Sequence, residues 1–222
     1  NHFMLTLSLD KPGAKPAPKL QLALNKGASF KVTVAWKCDA RHEDDVDIHA
    51  LEARNDGGGG AKVTALEQIL STYNTTRMSP KTGVLVAAAD GSFATPSGGL
   101  RHSGDIRVQG ITEAIVIDGS RLPAGINEIP LFATVHKAGH GQEHEGGAES
   151  EEEAAFADIE VCTVTIADES GRELGAYQLA KEFGDFNVVQ LGSVMHGDNG
   201  WEYAPVGRGF TGSINDVLSH FS

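Results

Sequence analysis

Apolar and polar residues alternate with a period of two in run after run of this chain. Leu5-Thr-Leu-Ser-Leu9, Leu20-Gln-Leu-Ala-Leu24 and the stretch from Phe30 to Trp36 all do so. Successive side chains of a strand point to opposite faces, so each run reads as a half-buried strand. Strand-like runs recur at Asp45–Leu51, Val84–Ala89, Glu113–Asp118, Glu128–His136, Phe156–Ala167, Glu173–Leu179, Val188–Met195 and Trp201–Val206. Pro130 near the start of its run fits an edge position. Turn residues punctuate the runs at Asn25-Lys-Gly27, Leu122-Pro-Ala-Gly125 and Asp168-Glu-Ser-Gly171, and Asp198-Asn-Gly200 is a hairpin signal. The 27 glycines are spread along the chain, which fits many strands joined by tight turns rather than one linker. Asp10–Lys19, with three prolines, reads as a connection or a second edge. Asn55–Gly60, Asp90–Ser103 and Gly139–Glu153 read as loops, the last of them an acidic, His-containing, solvated one. Ala61–Asn74 fits either a short helix through Val63, Leu66, Ile69 and Leu70 or the start of a strand at Ile69. Near the end, Ile214, Val217, Leu218 and Phe221 take helical spacing, with Ser213 and Asp216 as a capping pair. The expectation is an all-β fold: a two-sheet β-sandwich of about a dozen strands with a short C-terminal helix, one domain over residues 1–222.

The net charge of -12 argues against binding nucleic acid or an anionic membrane surface and favours cations or a basic partner. Two cysteines, Cys38 and Cys162, make no disulfide framework, and both fall in strand-like runs where a free thiol is a small buried hydrophobe. No apolar run approaches the ~20 residues that span a bilayer. Asn1-His-Phe-Met4 lacks the pattern of a signal peptide, and Met4 reads as the natural start, with the first three residues foreign to it. These features lead us to expect a cytoplasmic protein without direct membrane insertion.

The chemistry-bearing residues are acidic. Asp45 and Asp47 are two apart in a strand, so they stand side by side and repel. A hard cation such as Ca²⁺, which takes six to eight oxygens, would relieve that repulsion. Gly104-Asp105 and Glu113 are the other acidic candidates. A solvated strand end is the plain alternative for the Asp pair, and a turn for Asp105. His49 alternates with Asp47 and Leu51 and is expected to be a satisfied structural histidine facing the same way. His136, His140 and His144 are spaced by four, but the Gly-rich stretch between them will not hold the helix that a zinc site would need. No nucleophile elbow, phosphate loop or paired-cysteine motif is present, so no enzyme is expected.

Taken in order, several pieces resemble the TerD-type family of tellurium-resistance and stress proteins. They are Leu24-Asn-Lys-Gly27, Val32-Thr-Val-Ala-Trp36, Asp45-Val-Asp-Ile-His-Ala50, Tyr73-Asn74, His102-Ser-Gly-Asp105 and Glu113-Ala-Ile-Val-Ile. The order continues with Ala157-Asp-Ile-Glu160, Gly171-Arg-Glu-Leu174, Trp201-Glu-Tyr-Ala-Pro-Val-Gly207 and Gly209-Phe-Thr-Gly212. The resemblance implies a β-sandwich that binds Ca²⁺, usually at two adjacent sites. Its ligands would come from Asp45 and Asp47, from Asn74, and from the loop that runs through Gly104, Asp105, Gly110 and Glu113. The loop departs from the family pattern. Ile106 stands where the family has Asn, Ile111-Thr112 stand where it has paired Asp, and the loop is shorter. The remaining carboxylates suffice for one Ca²⁺ rather than two.

The resemblance further implies a role in tolerance of tellurite and other stresses through protein partners, among them an integral membrane protein of the same system. The alternative is a metal-free interaction or scaffolding module of the same fold, with a decayed calcium loop. An enzyme or carbohydrate-binding sandwich rests only on Trp201, Tyr203 and the Gly-rich loops, and both aromatics alternate like core residues.

Overall fold

A computed structural model describes residues 18–38, 44–104, 112–137, 159–179 and 184–222. Among these, twelve strands form two antiparallel sheets of six. They are β1 (Leu20–Ala23), β2 (Ser29–Cys38), β3 (Asp44–Leu51), β4 (Ile69–Leu70), β5 (Phe93–Ala94) and β6 (Leu100–His102), followed by β7 (Glu113–Asp118), β8 (Glu128–Lys137), β9 (Ile159–Asp168), β10 (Glu173–Gln178), β11 (Val188–Gly197) and β12 (Gly200–Phe210). One sheet has the order β1-β12-β11-β8-β3-β4 and the other β10-β9-β2-β7-β6-β5.

Alternation builds the core as expected. Phe30, Val32, Val34, Trp36 and Cys38 of β2 face inward against Val46, Ile48 and Ala50 of β3 and Ile129, Leu131, Ala133 and Val135 of β8. In β11 the inward set shifts phase, from Val189 and Leu191 to Val194. The register to both neighbours slips between Gln190 and Gly192, so one bulge resets both ladders. Gly192 is obligatory there, since a Cβ would stand 2.5 Å from the Ala204 carbonyl oxygen. Trp201 and Tyr203 are core residues, each 1% exposed.

The C-terminal helix α1 (Ile214–Leu218) has the expected capping box: Ser213 accepts from Asp216 N–H while the Asp216 carboxylate accepts from Ser213 N–H. Ile214, Val217 and Leu218 cover Leu51, Phe132 and Val188 on the outer face of the first sheet, and Phe221 packs alongside.

Several expectations are corrected. Val84–Ala89 is not a strand: it pairs only through a single parallel bridge from Leu85 to Thr75, and Leu85 plugs the core. Asp90–Ser103 is not all loop, because β5 and β6 lie within it. The ambiguous segment resolves into both alternatives, with 3-10 turns at Leu66–Gln68 and Thr72–Asn74 flanking β4. In the β11–β12 hairpin, Asp198 and Asn199 form the two-residue loop, while Gly200 opens β12 with φ +78. That is the arrangement of a type I turn with a following Gly bulge. The run Leu5–Leu9 and the loop Gly139–Glu153 lie outside the described residues.

Candidate functional site

Strand β3 organises the site. Val46, Ile48 and Ala50 belong to the inter-sheet core, so Asp45, Asp47, His49 and Leu51 face the outer side, where α1 also docks. Asp45 is 8% exposed and Asp47 5%. Across the ladder, Asp45 sits opposite His136 and Asp47 opposite Thr134. His49 is fully buried. Its Nδ1 lies 2.8 Å from Ser71 Oγ and its Nε2 2.8 Å from Thr134 Oγ1, with Tyr73 stacked beside it. It is a satisfied structural histidine, as its alternation implied.

Glu113 approaches β3 from the other sheet. It precedes Ile115 and Ile117, both core residues, so its side chain points into the sandwich. It meets β3 at an unfinished edge. Even-numbered residues of β3 present their backbone groups away from β8: Glu52 N–H donates to Gln68 O, and Ala50 pairs with Leu70 of β4. Strand β4 ends there, so the next rung, Ile48, lacks a strand partner on that side. Two side chains supply the partner. Glu113 Oε1 accepts from Ile48 N–H at 2.9 Å, and His102 Nε2 lies 3.0 Å from Ile48 O and 2.8 Å from Glu113 Oε1. Both side chains are fully buried. The arrangement closes a sheet edge and links the two sheets.

The protonation of His102 follows from geometry. Its Nδ1 accepts from Gly104 N–H at 2.9 Å, so the ring is neutral with its proton on Nε2. The ring stacks on Phe93 with centroids 4.6 Å apart and planes 14° from parallel. Gly104 has φ +103, and a Cβ there would stand 2.8 Å from the Gly91 carbonyl oxygen. The entry to the following loop therefore demands glycine.

Asn74 lies in the turn after β4, where its Nδ2 donates to the carbonyls of Leu66 and Ile69 and its own carbonyl accepts from Val84 and Leu85. Asp105 and Gly110 fall outside the described residues. The structure thus joins Glu113, His102 and, through His102, Gly104 at Ile48, while Asp45 and Asp47 stand side by side on the outer face of β3. Asn74 serves the neighbouring loop. Among the described residues, no three His, Cys, Asp or Glu side chains come close enough to hold a metal ion. His102 carried no role in the sequence reading. Its signal was a histidine three residues before the loop aspartate.

Burial pushes the Cys162 thiol up to about 12, so it stays protonated at neutral pH. Burial likewise raises Tyr177 and Tyr203. No helix of the described residues is long and apolar enough to cross a membrane.

The TerD domain family matches residues 91–221 of the 222. Among curated proteins, the Bacillus subtilis protein YceE, itself uncharacterized, is 28% identical over 57% of this chain and 62% of its own length. General stress protein 16U of the same organism is 24% identical over 56% of this chain and 61% of its own. Chemical-damaging agent resistance protein B of Clostridium acetobutylicum is 24% identical over 56% of this chain and 85% of its own. The chain therefore spans less than two thirds of the two Bacillus relatives. Among solved structures, SCO6318 from Streptomyces coelicolor A3(2), a homologue of telluride resistance protein (TerD), superposes with TM-score 0.51 at 16% identity, over 88% of this chain and 96% of its own. A protein of unknown function, SAV2460, gives TM-score 0.55 at 11% identity, over 86% of this chain and 95% of its own. These two structures share the fold. With more than half of its length matched by the family, the chain belongs to the TerD domain family.

Proposed function

We propose that this protein is a non-enzymatic stress-response protein of the tellurium-resistance type that binds Ca²⁺ and acts through protein partners in the cytoplasm, an integral membrane protein of the same system among them. The names of the relatives support the stress role: one is a general stress protein, another confers resistance to chemical-damaging agents, and a structural neighbour is a telluride-resistance homologue. The observation that carries the cation reading is the burial of two neighbouring carboxylates, Asp45 and Asp47, on one face of β3, with Glu113 buried at the adjoining edge. Buried carboxylates need compensating charge or hydrogen bonds. The donor set fits a hard cation: it offers carboxylate oxygens and no thiolate, beside a glycine turn that no side chain can enter. Asp45, Asp47 and Glu113 would hold the ion together with Asp105 and backbone carbonyls of the Gly104–Gly110 loop. Bound Ca²⁺ would supply positive charge between strand and loop. The residues themselves orient those two segments and present an ordered surface to a partner.

A specific observation favours a metal-free scaffold instead. Glu113 Oε1 already accepts two hydrogen bonds, and no three candidate ligands cluster among the described residues. The thermal melt in EDTA, in Ca²⁺ and in Mg²⁺ separates the two. Ca²⁺ at 100 times its Kd should add about 2.7 kcal/mol. Asp47→Asn combined with Asp105→Asn should abolish that gain. A wild-type melt indifferent to Ca²⁺ would leave the scaffold reading standing.

A further inference from the structure

We infer that the extended segment at residues 83–88 is a self-association edge, which pairs antiparallel with the same segment of a second copy of this chain. The inference is independent of the cation reading. The run Val84-Leu-Val-Ala-Ala-Ala89 holds six uncharged residues without Pro or Gly, the composition by which identical segments add to one another as strands. Within one chain it is paired on one side only. Leu85 N–H donates to Asn74 O and Leu85 O accepts from Thr76 N–H, so the backbone of Leu85 faces Thr75 while its side chain enters the core. Gly83 lies tight against the same stretch, since a Cβ there would run into the Thr75 carbonyl. At the far end Ala88 N–H donates to Ser92 O and its carbonyl accepts from Gly91 N–H.

Val86 is left between these anchors. Backbone groups alternate in direction along an extended chain, so its N–H and C=O point away from Thr75. Among the described residues they make no hydrogen bond, and the side chain is 76% exposed. An apolar edge that is held extended, with no charge or proline to guard it, is one that another strand can join.

The flanking charges choose the occupant. Lys81 precedes the run and Asp90 follows it; both are exposed, and neither is in an ion pair among the described residues. An antiparallel copy centred on Val86 brings the Lys81 end of each chain beside the Asp90 end of the other. A parallel copy would set like charges together. The antiparallel register also gives Val86 two reciprocal N–H to C=O bonds. A pairing this short falls below the ~1,200 Å² of a standard interface. Each chain also carries a net charge of -12, so the dimer is weak and depends on concentration.

Sedimentation over a wide concentration range should show a reversible monomer–dimer equilibrium. In the wild type the Val86 amide should exchange more slowly as the protein is concentrated, and amide shifts on dilution should centre on residues 83–89. Val86→Lys puts a charge on the edge and should abolish the dimer with an unchanged melt, because that side chain faces solvent. Lys81→Glu should weaken the dimer about 2–30-fold through two symmetry-related pairs. Lys26→Glu makes the same change of net charge in the turn between β1 and β2 and should weaken it less. A wild type that stays monomeric throughout would overturn the inference, as would dilution shifts that map elsewhere or a dimer that Val86→Lys leaves intact. A dimer indifferent to Lys81→Glu would overturn the antiparallel pairing.

Discussion

Glu113 closes the edge of β3 and is a proposed cation ligand, and replacing it in the absence of metal isolates the first role. In EDTA no cation contributes, so Glu113→Ala tests only the edge closure. The carboxylate is fully buried and accepts from Ile48 N–H and His102 Nε2–H. Truncation orphans the Ile48 N–H, which costs about 1–3 kcal/mol for a buried donor. His102 retains Ile48 O at 3.0 Å, so its loss is the smaller one of a single hydrogen bond, about 1 kcal/mol. The vacated methylenes add a cavity term. The sum is about 3–5 kcal/mol. For a domain of this size that lowers Tm by about 6–20 °C. Glu113→Gln keeps an oxygen for Ile48 N–H and should recover most of the loss. Urea and thermal melts in EDTA read both variants. If the alanine variant lies within about 1 kcal/mol of wild type, a scale set by one ordinary hydrogen bond, the carboxylate does not close the edge and the reasoning fails.

Two further outcomes test the core and the hairpin. Cys38 and Cys162 are in no disulfide and each is 3% exposed, so Ellman's reagent at pH 8 should find neither thiol in the native protein and both in urea. Fast reaction of either in the native state would refute its place in the core. Gly200→Ala should cost about 1–3 kcal/mol, because φ is +78 and a Cβ would stand 2.5 Å from the Ala23 carbonyl oxygen. An unchanged melt would mean that β1 does not approach β12 so closely.

The long strands were legible because burial alone sets their pattern. In β2 every second residue from Phe30 to Cys38 is buried, which is the alternation visible in the sequence. The terminal helix was legible for the same reason, since both its cap and its apolar stripe are local. The short strands β5 and β6 were not. Two or three residues carry no period, and what makes them strands is a neighbour, β6 beside β7 and β5 beside β6. Val84–Ala89 misled in the opposite direction: its apolar run reflects Leu85 filling the sandwich edge, where only one bridge forms. The Asp pair and Glu113 stood out as carboxylates. Their arrangement did not, because Glu113 reaches β3 only through the packing of one sheet on the other.

That packing also bears on where the family match begins. Residues 91–221 contain Gly104, Asp105, Gly110 and Glu113 but not Asp45, Asp47 or Asn74. Yet the matched stretch does not close a sandwich by itself. Strand β2 lies between β9 and β7, and β3 lies between β8 and β4. Both precede residue 91. Without β2, Glu113–Asp118 of β7 would lose its partners from Ser29 to Val34, and β9 would lose its ladder from Phe30 to Cys38. Without β3, Glu113 and His102 would have no Ile48 to meet. Gly104, which directly precedes Asp105, is thus tied through His102 to the strand that carries Asp45 and Asp47. A change in either half should be felt in both, because they share a single buried junction at Ile48.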